Sequence, residues 1–335
     1  MELNKTALVL GASGGIGGEV ARQLRDAGWQ VRALRRGLGV PAQSREGIHW
    51  VEGDALRTAD VAAAAAGCGV IVHAVNPPGY KRWAELVLPM LDNTIAAARA
   101  QQATIVLPGT VYNFGPDVFP LIAEDAPQHP RTRKGAIRVE MERRLEAAAA
   151  DGAVRVLIVR AGDFFGPKVG NSWFSQGMVK PGRPVTSVQL PGRGVAHQFA
   201  YLPDVAQTMV RLLAGRHALP GFARFHMNGH WDQDGTGLGR AIQRVVLRNG
   251  GPEPRLKRFP WWLVRLASPL VTTLRELLEL RYLWMRPVRL DNRRLIEVLG
   301  EEPHTPLDTA VQATLEGMGC LPRPEAPGAA STRAA

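Results

Sequence analysis

The sequence predicts an α/β protein built on a doubly wound parallel sheet. Three observations carry this. The glycine-rich stretch Gly11-Ala12-Ser13-Gly14-Gly15-Ile16-Gly17-Gly18 separates the apolar run Thr6-Ala7-Leu8-Val9-Leu10 from a helical pattern that starts at Glu19. Short apolar runs then alternate with helical segments as far as Val159, the pattern of parallel strands joined by crossover helices. From Ala161 to about Gln198 glycine, proline and isolated aromatics take over. A long irregular stretch in a compact chain usually builds a binding surface.

Taken in order, Ala27-Gly28-Trp29 supplies a glycine stop to the first helix, and Gln30-Val31-Arg32-Ala33-Leu34 reads as the second strand. Ile48-His49-Trp50-Val51-Glu52-Gly53-Asp54 is the third, and residues 61–66 form a short alanine-rich helix. Val70-Ile71-Val72-His73-Ala74 is a buried fourth strand, after which Pro77-Pro78-Gly79 breaks the chain. Helical spacing follows over 83–100, a fifth strand over Thr104-Ile105-Val106-Leu107, a helix over 133–150 and a sixth strand over 154–159. Beyond the irregular stretch, helices are expected over 203–213 and 237–248 with the short strand Phe225-His226-Met227-Asn228 between them. Residues 259–299 read as mostly helical apart from Pro269 and Pro287, and 322–335 as a disordered proline- and alanine-rich tail. The expected division is a cofactor-binding region over 1–160 and a smaller C-terminal substrate-binding region over 161–321, interleaved with the sheet.

The chain has 335 residues and a net charge of +11. Two cysteines, Cys68 and Cys320, lie far apart without metal-ligand spacing, which fits buried thiols in a reducing compartment. His129, His197, His226, His230 and His304 show no metal spacing either, and no metal is expected. Met1-Glu2-Leu3-Asn4-Lys5 runs straight into the first strand, leaving no room for a signal peptide, so a cytoplasmic location is expected. Between Arg255 and Arg294 ten basic residues face Glu276, Glu279 and Asp291, with Trp261, Trp262, Tyr282 and Trp284 among them. Solvated arginines on a helical segment are the leading reading there, and peripheral membrane or partner contact the lesser one. Charges interrupt every apolar run, so no span is expected. No nucleic-acid-reading motif is present, and the oligomeric state is left open.

The glycine stretch carries the first functional expectation. Glycines let the backbone turn sharply and approach a pyrophosphate, and the following helix offers that anion its unpaired N–H groups. Gly11, Ser13, Gly14, Gly15, Ile16 and Gly17 are therefore expected to hold a dinucleotide in a Rossmann-type fold. An acidic residue at the end of the second strand would bind the ribose hydroxyls of NAD(H). Here that place holds Arg35-Arg36, which suits the 2′-phosphate of NADP(H). Asp54 and Ala55 follow the third strand where a carboxylate meets the adenine, although Asp54 equally suits a turn. Asp232 and Asp234 are expected to cap the helix that follows them.

Together these residues resemble the short-chain dehydrogenase/reductase superfamily, in its extended and atypical branch of NAD-dependent epimerase/dehydratase-like proteins. Gly11, Gly14 and Gly17 match the extended G-x-x-G-x-x-G turn, and Gly53-Asp54 the adenine-site pair. His73-Ala74-Val75-Asn76 stands where the fourth strand passes the cofactor. Arg160-Ala161-Gly162-Asp163-Phe164-Phe165-Gly166-Pro167 resembles the segment after the sixth strand of sugar-nucleotide epimerases, and Phe199–Ala206 their later strand-to-helix junction. The resemblance implies cofactor contacts from His73, Ala74 and Val75, and substrate contacts from Asn76, Phe164, Trp173, Arg193 and His197.

The chain departs from the family at the chemistry. The family's acid/base tyrosine and its lysine are spaced Y-x-x-x-K, and no such motif occurs here. Lys134-Gly135-Ala136-Ile137-Arg138 takes its place, and the usual hydroxyl position falls on Pro108, with Thr110 two residues on. Three readings follow. In one, Lys134 transfers the proton, as a lysine does in the isoflavone-reductase-like enzymes that this pattern resembles; burial or cations such as Arg133 and Arg138 would suit a lysine to that task. In another, Tyr112 donates the proton with Thr110 or Lys134 assisting. In the third, the domain binds NADP(H) as a sensor or scaffold. The leading expectation is an NADP(H)-dependent reductase of a carbonyl or conjugated double bond on a partly apolar small molecule. An epimerase or dehydratase of a nucleotide sugar is the runner-up.

Overall fold

A computed structural model describes residues 4–77, 82–170, 172–269 and 271–321. Residues 1–3, the Pro78-Gly79 part of the expected break and the tail 322–335 lie outside the described residues. In chain order the first half comprises β1 (Thr6–Leu10), α1 (Gly15–Asp26), β2 (Gln30–Arg35), β3 (Ala42–Arg45), β4 (Ile48–Glu52), α2 (Thr58–Ala65), β5 (Val70–His73), α3 (Trp83–Gln101), β6 (Thr104–Gly109), β7 (Leu121–Ile122), α4 (Arg133–Ala149) and β8 (Arg155–Arg160). The second half comprises β9 (Asp163–Phe165), β10 (Ser187–Leu190), β11 (His197–Tyr201), α5 (Leu202–Ala214), β12 (Phe222–His226), β13 (His230–Asp232), α6 (Gly237–Arg248), β14 (Arg255–Arg258), α7 (Trp261–Ala267), α8 (Thr272–Glu279), β15 (Arg289–Leu290), α9 (Arg293–Leu299) and α10 (Leu307–Gly317).

Eight strands form the main sheet in the order β12-β8-β6-β5-β1-β2-β4-β3. All pairs are parallel except β3 with β4. The central strands read as unbroken apolar runs because both faces are covered. One face packs Val9, Val31, Val72 and Leu157 against Val20, Leu24, Val205 and Leu212 of α1 and α5. The other packs Leu8, Ile71, Ile105 and Ile158 against Val61, Val87, Leu91 and Leu145 of α2, α3 and α4. The order reverses between β1 and β5, and the crevice at such a switch point is where doubly wound sheets bind ligands.

Two differences from the sequence reading stand out. The edge strand β3 was not foreseen, because Ala42, Gln43, Ser44 and Arg45 are all exposed and carry no apolar alternation. The segment read as mostly helical over 259–299 holds α7, α8, a 3-10 turn over Leu280–Trp284 and α9, and the unforeseen element in it is the two-residue strand β15. Pro269 and Pro287 lie outside these helices, consistent with proline's missing N–H.

The later part of the chain wraps the carboxyl ends of the strands. A third core gathers Phe165, Phe174, Val188, Leu190, Phe199, Tyr201, Trp284 and the inner faces of α6 and α10. A fourth joins Phe114 and Ile122, after β6, to Leu280, Leu283, Val288 and Leu290. Tyr282 reinforces it by donating its hydroxyl to the Phe114 carbonyl at 3.1 Å. Residues 280–290 thus strap the loop after β6.

Candidate cofactor and catalytic site

The loop after β1 is shaped by what its glycines lack. Gly11 has φ +88°, and a Cβ there would lie 2.4 Å from the Ala74 carbonyl oxygen. A Cβ on Gly17 would lie 2.4 Å from the Gly11 carbonyl oxygen and 3.1 Å from the Ala74 Cβ. The loop between β1 and α1 is therefore pressed against Ala74-Val75 after β5, as the sequence pattern implies. Gly14 donates its N–H to the Gly11 carbonyl at 2.9 Å and sits in extended conformation at the start of α1. No side chain caps α1 and no acid occupies its first turn. A glycine turn and an uncapped helix start at the switch point are the donor set a pyrophosphate needs, so a dinucleotide fits these residues. Ser13 and Gly14 are exposed, with Gly15 and Ile16 half-buried.

At the end of β2, Arg35 and Arg36 are exposed. Arg36 lies 3.7 Å from the Asp54 carboxylate, and Arg35 lies over the Trp50 ring, 6.0 Å from its centroid. Asp54 also accepts the Leu56 N–H at 3.0 Å, so it serves the turn foreseen for it. Glu52, at the end of β4, accepts the backbone N–H groups of Gly37 and Leu38. That carboxylate went unnoticed in the sequence because its partners lie in the loop after a neighbouring strand. Ala55 is buried and accepts a hydrogen bond from Asn93 at 2.9 Å.

Three elements meet at the ends of β5 and β6. Thr132 caps α4 by accepting the Gly135 N–H at 3.0 Å. A Cβ on Gly135 would lie 2.2 Å from the Tyr112 carbonyl oxygen, so the start of α4 is seated on the backbone after β6. Lys134, in that first turn, is 3% exposed. One turn on, Arg138 lies over the Trp83 ring, 5.4 Å from its centroid, and the Trp83 indole donates to Asn76. His73 is 2% exposed, and its Nδ1 donates to Thr94 Oγ1 at 2.8 Å. Burial, then the nearby Arg138 charge, lowers its pKa to about 3. His73 is therefore neutral, a satisfied core histidine set beside the loop expected to meet the cofactor. Thr110 and Tyr112 are half-buried, and the Thr110 hydroxyl donates to Asn113 at 3.3 Å. Pro108 falls on β6 past Val106, where pairing with β5 ends, so its missing N–H leaves that ladder intact.

Behind α4 lies a network that the sequence did not disclose. Arg160, fully buried, donates from Nη2 to both Glu142 oxygens at 2.8 and 2.9 Å. It also donates from Nη1 to the Thr110 carbonyl and from Nε to His226 Nε2 at 3.1 Å. Glu142 accepts further from Asn113 at 2.9 Å and Gln128 at 2.8 Å. His226 Nδ1 in turn donates to the Ile122 carbonyl at 3.1 Å, and burial and Arg160 hold its pKa well below the usual histidine value. Glu142, Arg160 and His226 sit on α4, β8 and β12, and Thr110 and Asn113 in the turn after β6, so no local spacing announces the network.

The residues expected to touch substrate are spread around the third core. Asp163 accepts from His197 Nε2 at 2.7 Å. The buried His197 ring stacks on Trp284 with centroids 3.7 Å apart, and its Nδ1 has no partner among the described residues. Trp173 packs against Phe259, Trp261 and Trp284 at 5.4, 5.6 and 4.9 Å. Phe164 instead packs into the first core, beside the sheet. Arg193 is exposed on the turn before β11. Asp232 accepts the Leu238 N–H at 3.1 Å in the first turn of α6, the capping role expected of it, whereas Asp234 accepts the Thr236 N–H at 2.9 Å and shapes the turn before that helix. Cys68 and Cys320 are buried free thiols.

Fold and site together define a doubly wound α/β protein with a dinucleotide cradle at its switch point. The chain belongs to the NAD dependent epimerase/dehydratase family, whose model matches residues 7–222. The uncharacterized protein y4nL of Sinorhizobium fredii (strain NBRC 101917 / NGR234) is 28% identical over 180 residues, 48% of this chain and 51% of that protein. The chain thus spans about half the length of the curated relative it matches. Similar solved structures include UDP-galactose 4-epimerase (16% identity, TM-score 0.65, covering 93% of this chain and 98% of that one). A putative epimerase from Burkholderia cenocepacia J2315 is similar at 18% identity and TM-score 0.71, with 94% and 98% covered. MoeE5 in complex with UDP-glucose and NAD follows at 18% and 0.68, with 93% and 98% covered. At such identities the likeness shows the fold.

Proposed function

We propose that this chain is an NADP(H)-dependent oxidoreductase acting on a carbonyl or conjugated double bond of a partly apolar small molecule, with Lys134 as its proton-transfer group. The observation that carries this reading is the placement of Lys134. It is buried in the first turn of α4, where the family pattern has its tyrosine, while Arg138 stands where the pattern has its lysine. Gly135 holds that turn against the Tyr112 backbone, which keeps the amine and the loop after β6 in fixed relation. A reduced nicotinamide, held by the loop from Gly11 to Gly17, would supply hydride to the electrophilic carbon of the double bond. Lys134 would hold the proton that the far atom of that bond takes up, its ammonium being left as the amine. Arg138, stacked on Trp83, takes the cofactor-positioning part of the missing lysine.

Arg35 and Arg36 support NADP(H) over NAD(H). Glu52, opposite Arg35 in the β2–β4 register, is already engaged by two backbone amides. The Arg36–Asp54 pair is exposed at Arg36, and such a pair is worth under about 1 kcal/mol. A 2′-phosphate therefore competes for Arg36 at little cost. On the substrate side, Trp173 and its aromatic neighbours favour an apolar body, with the His197–Asp163 pair as the polar contact.

A second reading, an epimerase or dehydratase of a nucleotide-linked sugar, draws on the family itself and on the UDP-glucose named with MoeE5. It would set a pyrophosphate near Arg193 and His197. Fluorescence titrations of NADPH and NADH, then a carbonyl, enone and UDP-sugar panel, separate the readings. Tighter NADPH binding with carbonyl or enone turnover supports the oxidoreductase; UDP-sugar conversion without net cofactor oxidation supports the second reading. Cofactor binding without any turnover would return the chain to the sensor reading.

A further inference from the structure

We propose that the outer face of α7 and its basic surroundings dock the protein on an anionic lipid surface. On α7, Trp262 and Leu266, one turn apart, are 66% and 73% exposed, with Leu263 at 45% beside them and Val271 at 43% just beyond. The inner face of the same helix is committed to the fold. Val264 is buried, and the Trp261 indole donates to the Pro191 carbonyl at 2.8 Å while its ring packs on Trp173. The helix thus presents a split face: inward residues hold the third core, and outward residues are apolar without cover.

The charge around this patch is predominantly basic, set against Glu276 and Glu279 of α8. Arg255, Lys257, Arg258, Arg265, Arg275 and Arg286 are all exposed, and none of them has a salt bridge to a described residue. Arginines elsewhere on the surface are mostly paired, as in Arg143–Glu140 at 2.7 Å, Arg244–Asp308 at 2.6 Å and Arg99–Asp151 at 2.6 Å. Solvation alone explains unpaired arginines, and scattered apolar residues are ordinary on a surface. It does not explain a bare tryptophan and leucine pair set among them.

An anionic bilayer satisfies both halves at once. An indole sits at headgroup depth, leucines enter the acyl boundary, and guanidinium groups meet lipid phosphates. No helix of the described residues is long and apolar enough to cross a membrane, so the contact is peripheral.

The test uses the full chain with vesicles of phosphatidylcholine alone and of phosphatidylcholine mixed with phosphatidylglycerol. Sedimentation with the anionic vesicles only, weakening as salt rises, is the expected result, with a blue shift of tryptophan emission on binding. W262S/L266S should lower vesicle affinity about tenfold or more through lost apolar insertion, and R255E/R258E should do so through charge alone. Both pairs are exposed, so circular dichroism and melting should match the parent and exclude misfolding. The proposal is overturned if no anionic vesicle sediments the protein at low salt, or if both variants bind like the parent. It is also overturned if light scattering shows a dimer that W262S/L266S dissolves, which would assign the face to a second copy.

Discussion

Arg160 and Glu142 form a buried two-pronged ion pair, one guanidinium nitrogen donating to both carboxylate oxygens at 2.8 and 2.9 Å. The pair ties the end of β8 to the middle of α4, the helix that carries Lys134 and Arg138. Its remaining valences are met by Thr110, His226, Asn113 and Gln128. Arg160→Met leaves Glu142 buried with Arg224, 3.7 Å away, as its remaining ion-pair partner among the described residues, and should cost about 3 kcal/mol of stability, read as a lower urea midpoint. A midpoint within error of the parent would show that the network is not under load.

Acid should destabilise the fold before its carboxylates titrate. His73 is held at about 3 and His230 at about 4, and His226 lies well below the usual value, all by burial first. Each folded pKa is depressed, so the unfolded chain binds more protons below its own value of about 6.5 and stability falls as pH falls. Between pH 6.5 and 5.0 His73 and His230 each contribute a loss of about 1.5 kcal/mol, and His226 acts in the same direction. Glu124 and Asp204, raised by burial, act in the opposite sense across the carboxylate range. Melting temperatures measured at pH 7.5 and 5.0 should therefore drop. His73→Gln should make the drop shallower than in the parent.

Most of the sheet was legible because its central strands are buried on both faces and announce themselves as apolar runs. The edge strand β3 was not, since an exposed polar strand has no such signature. The glycine loop was legible in detail: each glycine that matters permits a backbone approach that a Cβ would block, and that shows as a fixed spacing. Glu142, Arg160 and His226 were opaque for the opposite reason. Their partnership spans a helix and two strands, so it exists only once the chain has folded. Asp163 and His197 were each seen, yet only the pairing of β9 with β11 sets them side by side.

Gly17→Ala should weaken cofactor binding although alanine is the better helix former by about 1 kcal/mol. The new Cβ would lie 2.4 Å from the Gly11 carbonyl oxygen, forcing the loop away from Ala74. A titration of NADPH fluorescence should show affinity lowered at least about tenfold, since the pyrophosphate loses its close backbone approach. Unchanged affinity would remove this loop from the cofactor site.

Cofactor choice should turn on Arg35 and Arg36. Replacing both with alanine should weaken NADPH about tenfold, the scale of a charge-assisted contact on an open surface, and leave NADH nearly unchanged. Equal losses for the two cofactors would place these arginines outside the 2′-phosphate site.

The most direct measurement compares NADPH oxidation by the parent, Lys134→Met and Tyr112→Phe on the best carbonyl or enone substrate of the panel, with NADPH affinity determined alongside. Lys134→Met should lower kcat about 100-fold or more, the usual share of a positioned proton donor, while Tyr112→Phe retains most activity. Full turnover by Lys134→Met, with cofactor bound as in the parent, would contradict the account and move the proton to Tyr112.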